Sequence, residues 1–172
     1  MKTVAIPYHT TTIDLHVPEP NLAAVITGAK ASFDPGKEEV AVVREALANP
    51  VSTPRLRDLA RDKNKVVLIT GDHTRPMSCC ITLPVLLEEI RTGNPKADVT
   101  ILVGTGLNRP TTEAEQRAMF GDDVVRNEKI AVNDAYDAEC FEYQGRLPSG
   151  AVFYVNKLVT ECDLLVAEGV IE

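Results

Sequence analysis

The apolar positions of this chain follow two different periods. Residues 1–20 alternate apolar and polar side chains as far as Pro18 and Pro20, a pattern that predicts a half-exposed edge strand or a hairpin. Apolar side chains three or four positions apart predict helices at 38–50, 53–63, 79–95 and 112–121. Thr112 and Glu115 have the spacing of a capping box, which predicts where the last of these helices begins.

Short apolar runs rich in β-branched residues lie between and after these helices. They predict strands at 65–70, 97–103 and 129–134, a strand with a turn at 152–159, and a strand with an exit segment at 162–172. Residues 135–150 are mostly polar and are interpreted as a connection. Strands that alternate with helices predict an α/β, Rossmann-like layered fold with a mostly parallel sheet and helices on both faces. We expect residues 1–172 to form a single domain.

Composition narrows the classes of function. The formal net charge is −7 and no basic run occurs, so nucleic acid is an unfavourable partner. No stretch reaches the roughly 18 continuous apolar residues that a membrane span needs, and we expect a cytoplasmic protein without a membrane partner. The four cysteines lack the spacing of metal ligands, so no metal site is predicted.

The first candidate site is the polar segment GDHTRP, residues 71–76, which directly follows a predicted strand. The planar guanidinium of Arg75 can bind a carboxylate or a phosphate through two parallel hydrogen bonds. Asp72 can orient a base or accept a hydroxyl proton. The alternative is structural: Asp72 and Arg75 cap the following helix, and His73 lies in solvent.

The second candidate site is GTGLNRP, residues 104–110, which follows the next strand along the chain. Gly104 and Gly106 let the backbone approach a ligand closely, and Thr105 can donate to an anion. The alternative is a tight turn that needs glycine for its backbone conformation. Because ligands bind beyond the carboxyl ends of parallel strands, we expect the two segments to form one site. Asn108, however, is not a proton carrier.

These segments form an ordered set that resembles the N-terminal part of the nickel-dependent lactate racemase family. The set consists of EALANP (45–50), GDHTRP (71–76), LPVLLEEIRTG (83–93), VTILVGTGLNRPTTEAE (99–115), FGDDVV (120–125) and IAVNDAYD (130–137). The resemblance implies a racemase or epimerase of 2-hydroxy acids, an isomerase. It also implies a nickel pincer nucleotide that is tethered to a lysine, has its nickel bound by a histidine, and takes a hydride from the α-carbon.

The resemblance also implies roles for single residues. Arg75 matches the arginine that binds the substrate carboxylate, and His73 beside it is assigned to substrate binding. Asp72 and Asn108 are assigned to catalysis. The segment Gly104, Thr105 and Gly106 is placed beside the cofactor.

Two departures from the family pattern stand out. Asn108 replaces the histidine of the usual GTGxHRP motif, and asparagine cannot carry a proton near neutral pH. It marks either a relative that works on another hydroxy acid or sugar acid with a single proton carrier, or a member that has lost racemase chemistry. The presence of Asp72 and Arg75 favours the first alternative.

The second departure is at the C-terminus. The resemblance implies that the cofactor-bearing lysine, the nickel-binding histidine and a second catalytic histidine belong to a segment beyond Glu172. We therefore expect the chain to be the N-terminal part of a longer protein, inactive without the rest.

Two other functions compete with this hypothesis. One is a non-catalytic anion-binding or regulatory module that uses the same two segments without nickel. The other is a nucleotide-binding domain, ranked last because no dinucleotide fingerprint follows any predicted strand. In the leading hypothesis the partners are a small 2-hydroxy acid or another small carboxylate and the missing C-terminal part of the same protein.

Overall fold

The structure is a computed structural model that describes residues 1–26, 28 and 34–170. The chain divides into two compact units, Met1–Gly36 and Lys37–Glu172. Each unit is built from its own sheets. The end of the predicted exit segment, residues 171–172, lies outside the described residues.

The first unit contains the predicted N-terminal hairpin. Strand β1 (Lys2–Tyr8) pairs antiparallel with β2 (Thr11–Val17), and Tyr8 lies opposite Thr11. The connection is two residues long and includes His9 at φ 53°, a left-handed conformation that matches the twist of tight hairpins. The alternation of residues 1–20 therefore predicted this hairpin correctly.

The second unit contains a four-stranded parallel sheet flanked by helices, with an antiparallel hairpin. Its strands are β3 (Lys65–Gly71), β4 (Asp98–Gly104), β5 (Lys129–Val132), β6 (Phe141–Arg146), β7 (Val152–Asn156) and β8 (Leu164–Ala167). Its helices are α1 (Glu39–Ala48), α2 (Leu56–Leu59), α3 (Cys79–Gly93), α4 (Glu113–Phe120), α5 (Asp122–Asn127) and α6 (Lys157–Thr160). The parallel sheet has the order β5-β4-β3-β8, and β6 pairs with β7. The predicted α/β class and parallel sheet are confirmed.

The main core lies on one face of the parallel sheet. Alternate residues of β3 and β4 point into it and meet the helices of that face. The buried members include Val66, Leu68, Ile101 and Val103 from the strands and Leu83, Ile90 and Phe120 from the helices. On the other face Leu158 of α6 lines the same pocket as Val67 and Thr100. Helices therefore cover both faces, as the sequence predicted.

Helix α3 packs unusually closely against α2. A Cβ atom placed on Gly93 would lie 2.0 Å from the carbonyl oxygen of Arg57, so no larger residue fits there. Four residues earlier, the buried carboxylate of Glu89 accepts hydrogen bonds from Arg57 and Arg55. These contacts fix the helices that support β3 and the segment after it.

Three predictions of local structure were wrong in detail. The polar connection at 135–150 contains β6, whose exposed edge residues hide the strand pattern. Helix 53–63 is reduced to Leu56–Leu59, since Asp62 adopts a left-handed φ of 59° that ends the turn. The strand predicted at 152–159 ends at Asn156, whose side chain caps α6 by accepting from the N–H of Leu158.

Candidate functional site

The sheet order creates a crevice between β3 and β8. The chain passes from β3 to β4 and β5 on one side of the sheet, while β8 returns on the other side of β3. Strand order thus changes direction beside β3, and open α/β sheets bind ligands at such points. A pocket of about 290 Å³ lies there, lined by Gly71, Arg75, Met77, Glu168, Gly169 and Val170.

Asp72 is the buried centre of the segment after β3. It is 2% exposed, and its Oδ1 accepts from the backbone N–H of Thr74 at 3.0 Å and from the Thr74 hydroxyl at 2.6 Å. This arrangement is a local Asx turn, which satisfies one carboxylate oxygen within the segment itself. The other oxygen is left to interact with the neighbouring segment.

Asn108 supplies that interaction. Its Nδ2 donates to Oδ2 of Asp72 at 2.8 Å, although the two residues are 36 positions apart in sequence. Burial acts to raise the pKa of the Asp72 carboxyl, but hydrogen bonds from Thr74 and Asn108, with the nearby His73, together hold that pKa below its ordinary value. Asp72 is therefore an ionised acceptor at neutral pH and a weak base.

Arg75 lies on the pocket side of the same segment. Its backbone N–H donates to the carbonyl of Asp72 at 3.1 Å, and its side chain is exposed where it lines the pocket. A planar guanidinium has the shape to bind a carboxylate through two parallel hydrogen bonds.

His73 points toward the second segment. Its Nδ1 is 3.2 Å from the hydroxyl of Thr111, a residue that is 4% exposed and lies just before α4. The imidazole thus contacts the residue that directly follows the second segment, and it is not among the residues that line the pocket with Arg75. Its assignment to substrate binding stays a prediction.

Gly104, Thr105 and Gly106 lie where β4 ends. Thr105 is 2% exposed, and its hydroxyl donates to the carbonyl of Asn133 at 2.6 Å, which connects this segment to the end of β5. Gly106 has a φ of 56°, a conformation that favours glycine. Residues 104–106 follow β4, and none of them lines the pocket between β3 and β8. Its cofactor role also stays a prediction.

The capping box after Asn108 is confirmed. Thr112 and Glu115 exchange hydrogen bonds at the start of α4, and Arg109 donates to both oxygens of Glu115. The bonds from Arg109 and Thr112 hold the pKa of Glu115 far below its usual value. The segment that carries Asn108 is therefore anchored at its carboxyl end.

The sequence interpretation missed Glu168, which directly follows β8 and lines the pocket. Its carboxylate accepts from the hydroxyl of Thr70 at 2.7 Å and from that of Thr82. A signal was available: Glu168 and Gly169 follow the apolar run LLVA just as Gly71 and Asp72 follow that of β3. Asn156 was missed as well, and its Nδ2 donates to Asn133 at 3.0 Å.

Two further properties bear on the class of site. Within residues 1–26, 28 and 34–170, no three histidine, cysteine, aspartate or glutamate side chains come together as a group that would hold a metal ion. Among the helices of these same ranges, none has the length and apolar character that crossing a bilayer requires.

The whole chain aligns with known proteins. The chain is 44% identical over 172 residues to the lactate racemase of Thermoanaerobacterium thermosaccharolyticum and 37% identical over 172 residues to that of Lactiplantibacillus plantarum. Both alignments cover 100% of this chain but 40% and 41% of those relatives. The chain therefore spans about two fifths of their length.

A solved structure supports the same relationship. The lactate racemase apoprotein from Thermoanaerobacterium thermosaccharolyticum superposes with a TM-score of 0.86 at 42% identity, over 96% of this chain and 38% of that one. Residues 8–172 match the family described as the lactate racemase N-terminal domain. With the parallel sheet, the crevice and these matches in agreement, the chain belongs to the lactate racemase N-terminal domain family.

Proposed function

We propose that this chain is the substrate-binding part of a racemase or epimerase of 2-hydroxy acids. The observation that carries the proposal is the position of Arg75, which lines the crevice between β3 and β8 and lies three residues after Asp72, the partner of Asn108. A 2-hydroxy acid offers a carboxylate and a hydroxyl on adjacent carbons. The site offers a cation for the first and an ionised acceptor with an amide for the second.

In this proposal Arg75 binds the substrate carboxylate and thereby orients the α-carbon. Asp72 accepts a hydrogen bond from the substrate hydroxyl, or holds Asn108 so that its amide oxygen does so. Because the pKa of Asp72 lies below its ordinary value, its carboxylate orients the hydroxyl but is a poor acceptor of its proton at neutral pH. Asn108 cannot take that proton either. The proton carrier therefore belongs to another group.

We infer that the cofactor is the nickel pincer nucleotide of the family. One feature of the described residues suits it: Gly106 has a φ of 56° and open space where a Cβ would stand, so the backbone after β4 can approach a cofactor closely. They do not fit the metal, since the residues described contain no group of metal-ligating side chains. Bound beside the crevice, this cofactor would supply the acceptor for the hydride of the α-carbon. Its lysine and its nickel ligand would come from the remainder of a longer protein.

The test uses the full product of the reading frame, expressed with the cofactor-making enzymes and nickel. D- and L-forms of several 2-hydroxy acids, including lactate, are assayed for interconversion. We expect turnover of at least one acid, and a loss of about 100-fold or more in kcat/KM in Arg75→Ala, since the carboxylate loses a charged, two-point contact. Arg126→Ala changes an exposed arginine on α5 and serves as the matched control.

A second candidate function rests on Asn108 itself. A site without a proton carrier at this position suits an anion-binding or regulatory module of the same fold. That module would bind lactate or phosphate in a manner dependent on Arg75, with or without nickel. Anion binding combined with no turnover of any acid, and no cofactor mass on the protein, would replace the first proposal with this one. Turnover gained in Asn108→His would instead identify proton transfer as the missing step.

A further inference from the structure

Glu168 connects the two ends of the segment that carries Arg75. Thr70 lies near the end of β3, Thr82 lies in the first turn of α3, and the hydroxyls of both threonines donate to the Glu168 carboxylate. The Glu168 backbone N–H also donates to the carbonyl of Ile69 at 3.0 Å. One residue, directly after β8, therefore contacts the chain before and after residues 71–78.

The contact between Glu168 and Thr70 is buried and lies at the pocket wall. Thr70 is 1% exposed, so its hydroxyl needs an internal partner, and Oε1 of Glu168 provides it at 2.7 Å. Glu168 also lines the pocket together with Arg75. Any displacement of its carboxylate would shift one wall of the crevice and release both ends of the opposite wall.

A buried thiol extends the same network. Sγ of Cys79 lies 3.3 Å from the hydroxyl oxygen of Thr70. Burial raises the pKa of Cys79 to about 12, so the group stays a neutral thiol. Because the Thr70 proton is directed at Glu168, the S–H of Cys79 donates to the Thr70 oxygen. The contacts run in one direction, from thiol to hydroxyl to carboxylate.

We propose that Glu168 is a positioning residue, which sets the place of Arg75 by fixing both ends of residues 71–78. The inference rests on the proposed function, in which Arg75 binds a substrate carboxylate. Glu168 acts through the segment and does not itself bind the substrate. Its removal should therefore weaken carboxylate binding only when Arg75 is present.

The main variant is Glu168→Gln, measured in the full-length protein. Glutamine keeps the size of the side chain and one acceptor, and the Thr82 hydroxyl has a second acceptor in the Ser78 carbonyl at 3.3 Å, so the fold should persist. We expect the Kd of L-lactate, measured by calorimetry, to rise about tenfold, which corresponds to about 1.4 kcal/mol of binding free energy. Amide hydrogen exchange of residues 71–78 should become faster.

Asp163→Asn is the matched control. Asp163 also connects β8 to β3, by accepting from the backbone N–H groups of Asn64 at 2.9 Å and Lys65 at 2.8 Å. Those contacts lie at the opposite end of β3 from the pocket. This variant should leave the Kd of L-lactate and the exchange of residues 71–78 unchanged, even if it lowers the melting temperature. Thr82→Val removes one of the two contacts to Glu168 and should change both measurements in the same direction, by less.

The double variant Glu168→Gln with Arg75→Ala separates positioning from direct binding. Its Kd should equal that of Arg75→Ala alone, because the two changes act through one contact. If Glu168→Gln changes neither the amide exchange of residues 71–78 nor the Kd, the inference is overturned. Additive effects on Kd in the double variant would overturn it as well.

Failure of the proposed function has another signature: L-lactate binding that is absent or insensitive to Arg75→Ala. In that case faster exchange of residues 71–78 in Glu168→Gln, with Asp163→Asn unchanged, would still support the positioning contact, and unchanged exchange would overturn it.

Discussion

Asn108 donates from its side-chain nitrogen to the carboxylate of Asp72 at 2.8 Å, across the two segments that follow β3 and β4. The strands pair in parallel with Gly71 opposite Gly104, so both segments leave the sheet at the same level. Asp72 follows at once, while Asn108 lies four residues beyond its strand. The contact therefore depends on the turn at Gly106 as well as on the strand register.

Asn108→Ala should destabilise the fold. Loss of the amide leaves one oxygen of the buried Asp72 without its side-chain donor, at a cost of about 1 kcal/mol in the free energy of unfolding. Urea denaturation measures this. Asn127→Ala, on the exposed end of α5, is the control and should change that free energy by less than about 0.5 kcal/mol. Equal effects of the two substitutions would contradict the importance of the contact.

The contribution of Asp72 to stability should depend on pH. Its pKa in the folded protein is lowered, so its ionised form stabilises the fold fully above the unfolded-state pKa of about 3.9. That contribution is lost as pH falls through the lower, folded-state pKa. The difference in unfolding free energy between the parent and Asp72→Asn should be constant near neutral pH and shrink in acid. A difference that grows on acidification would show that the pKa is raised instead.

Gly93→Ala tests the packing of α2 on α3. Helix propensity alone favours alanine by about 1 kcal/mol. The new Cβ would lie 2.0 Å from the Arg57 carbonyl oxygen, and moving a backbone costs more than that gain. We expect a net loss of about 1–3 kcal/mol in the free energy of unfolding. Gly169→Ala, which adds a Cβ in open space, should be close to neutral. A stabilised Gly93→Ala protein would refute the close approach.

The adjacent cysteines at the start of α3 should differ in reactivity. Cys79 is fully buried with a pKa raised to about 12, whereas Cys80 is exposed. Iodoacetamide should therefore modify Cys80 in the native protein and leave Cys79 intact over the same period, since only an accessible thiolate reacts. Mass spectrometry follows the reaction, with Cys79→Ser and Cys80→Ser to assign the site. Comparable rates for both thiols would contradict the burial of Cys79.

Local sequence patterns predicted the elements that are stabilised by interactions between residues close in sequence. The capping box of Thr112 and Glu115 needs three residues of spacing and formed as predicted. The apolar runs of β3 and β4 are long enough to be recognised as buried parallel strands. Strand β6 escaped prediction because its side chains are largely exposed, and its pairing partner β7, not its own periodicity, holds it in place.

By itself the sequence determined the α/β class, the parallel sheet, the N-terminal hairpin and the two segments that carry Asp72, Arg75 and Asn108. These follow from hydrophobic periodicity and turn chemistry, which act over a few residues. Only the tertiary structure decided that β8 lies beside β3 and that Glu168 reaches Thr70, 98 positions away. Such contacts have no local signal, because the order of strands is set by how crossover connections pack and not by any single segment.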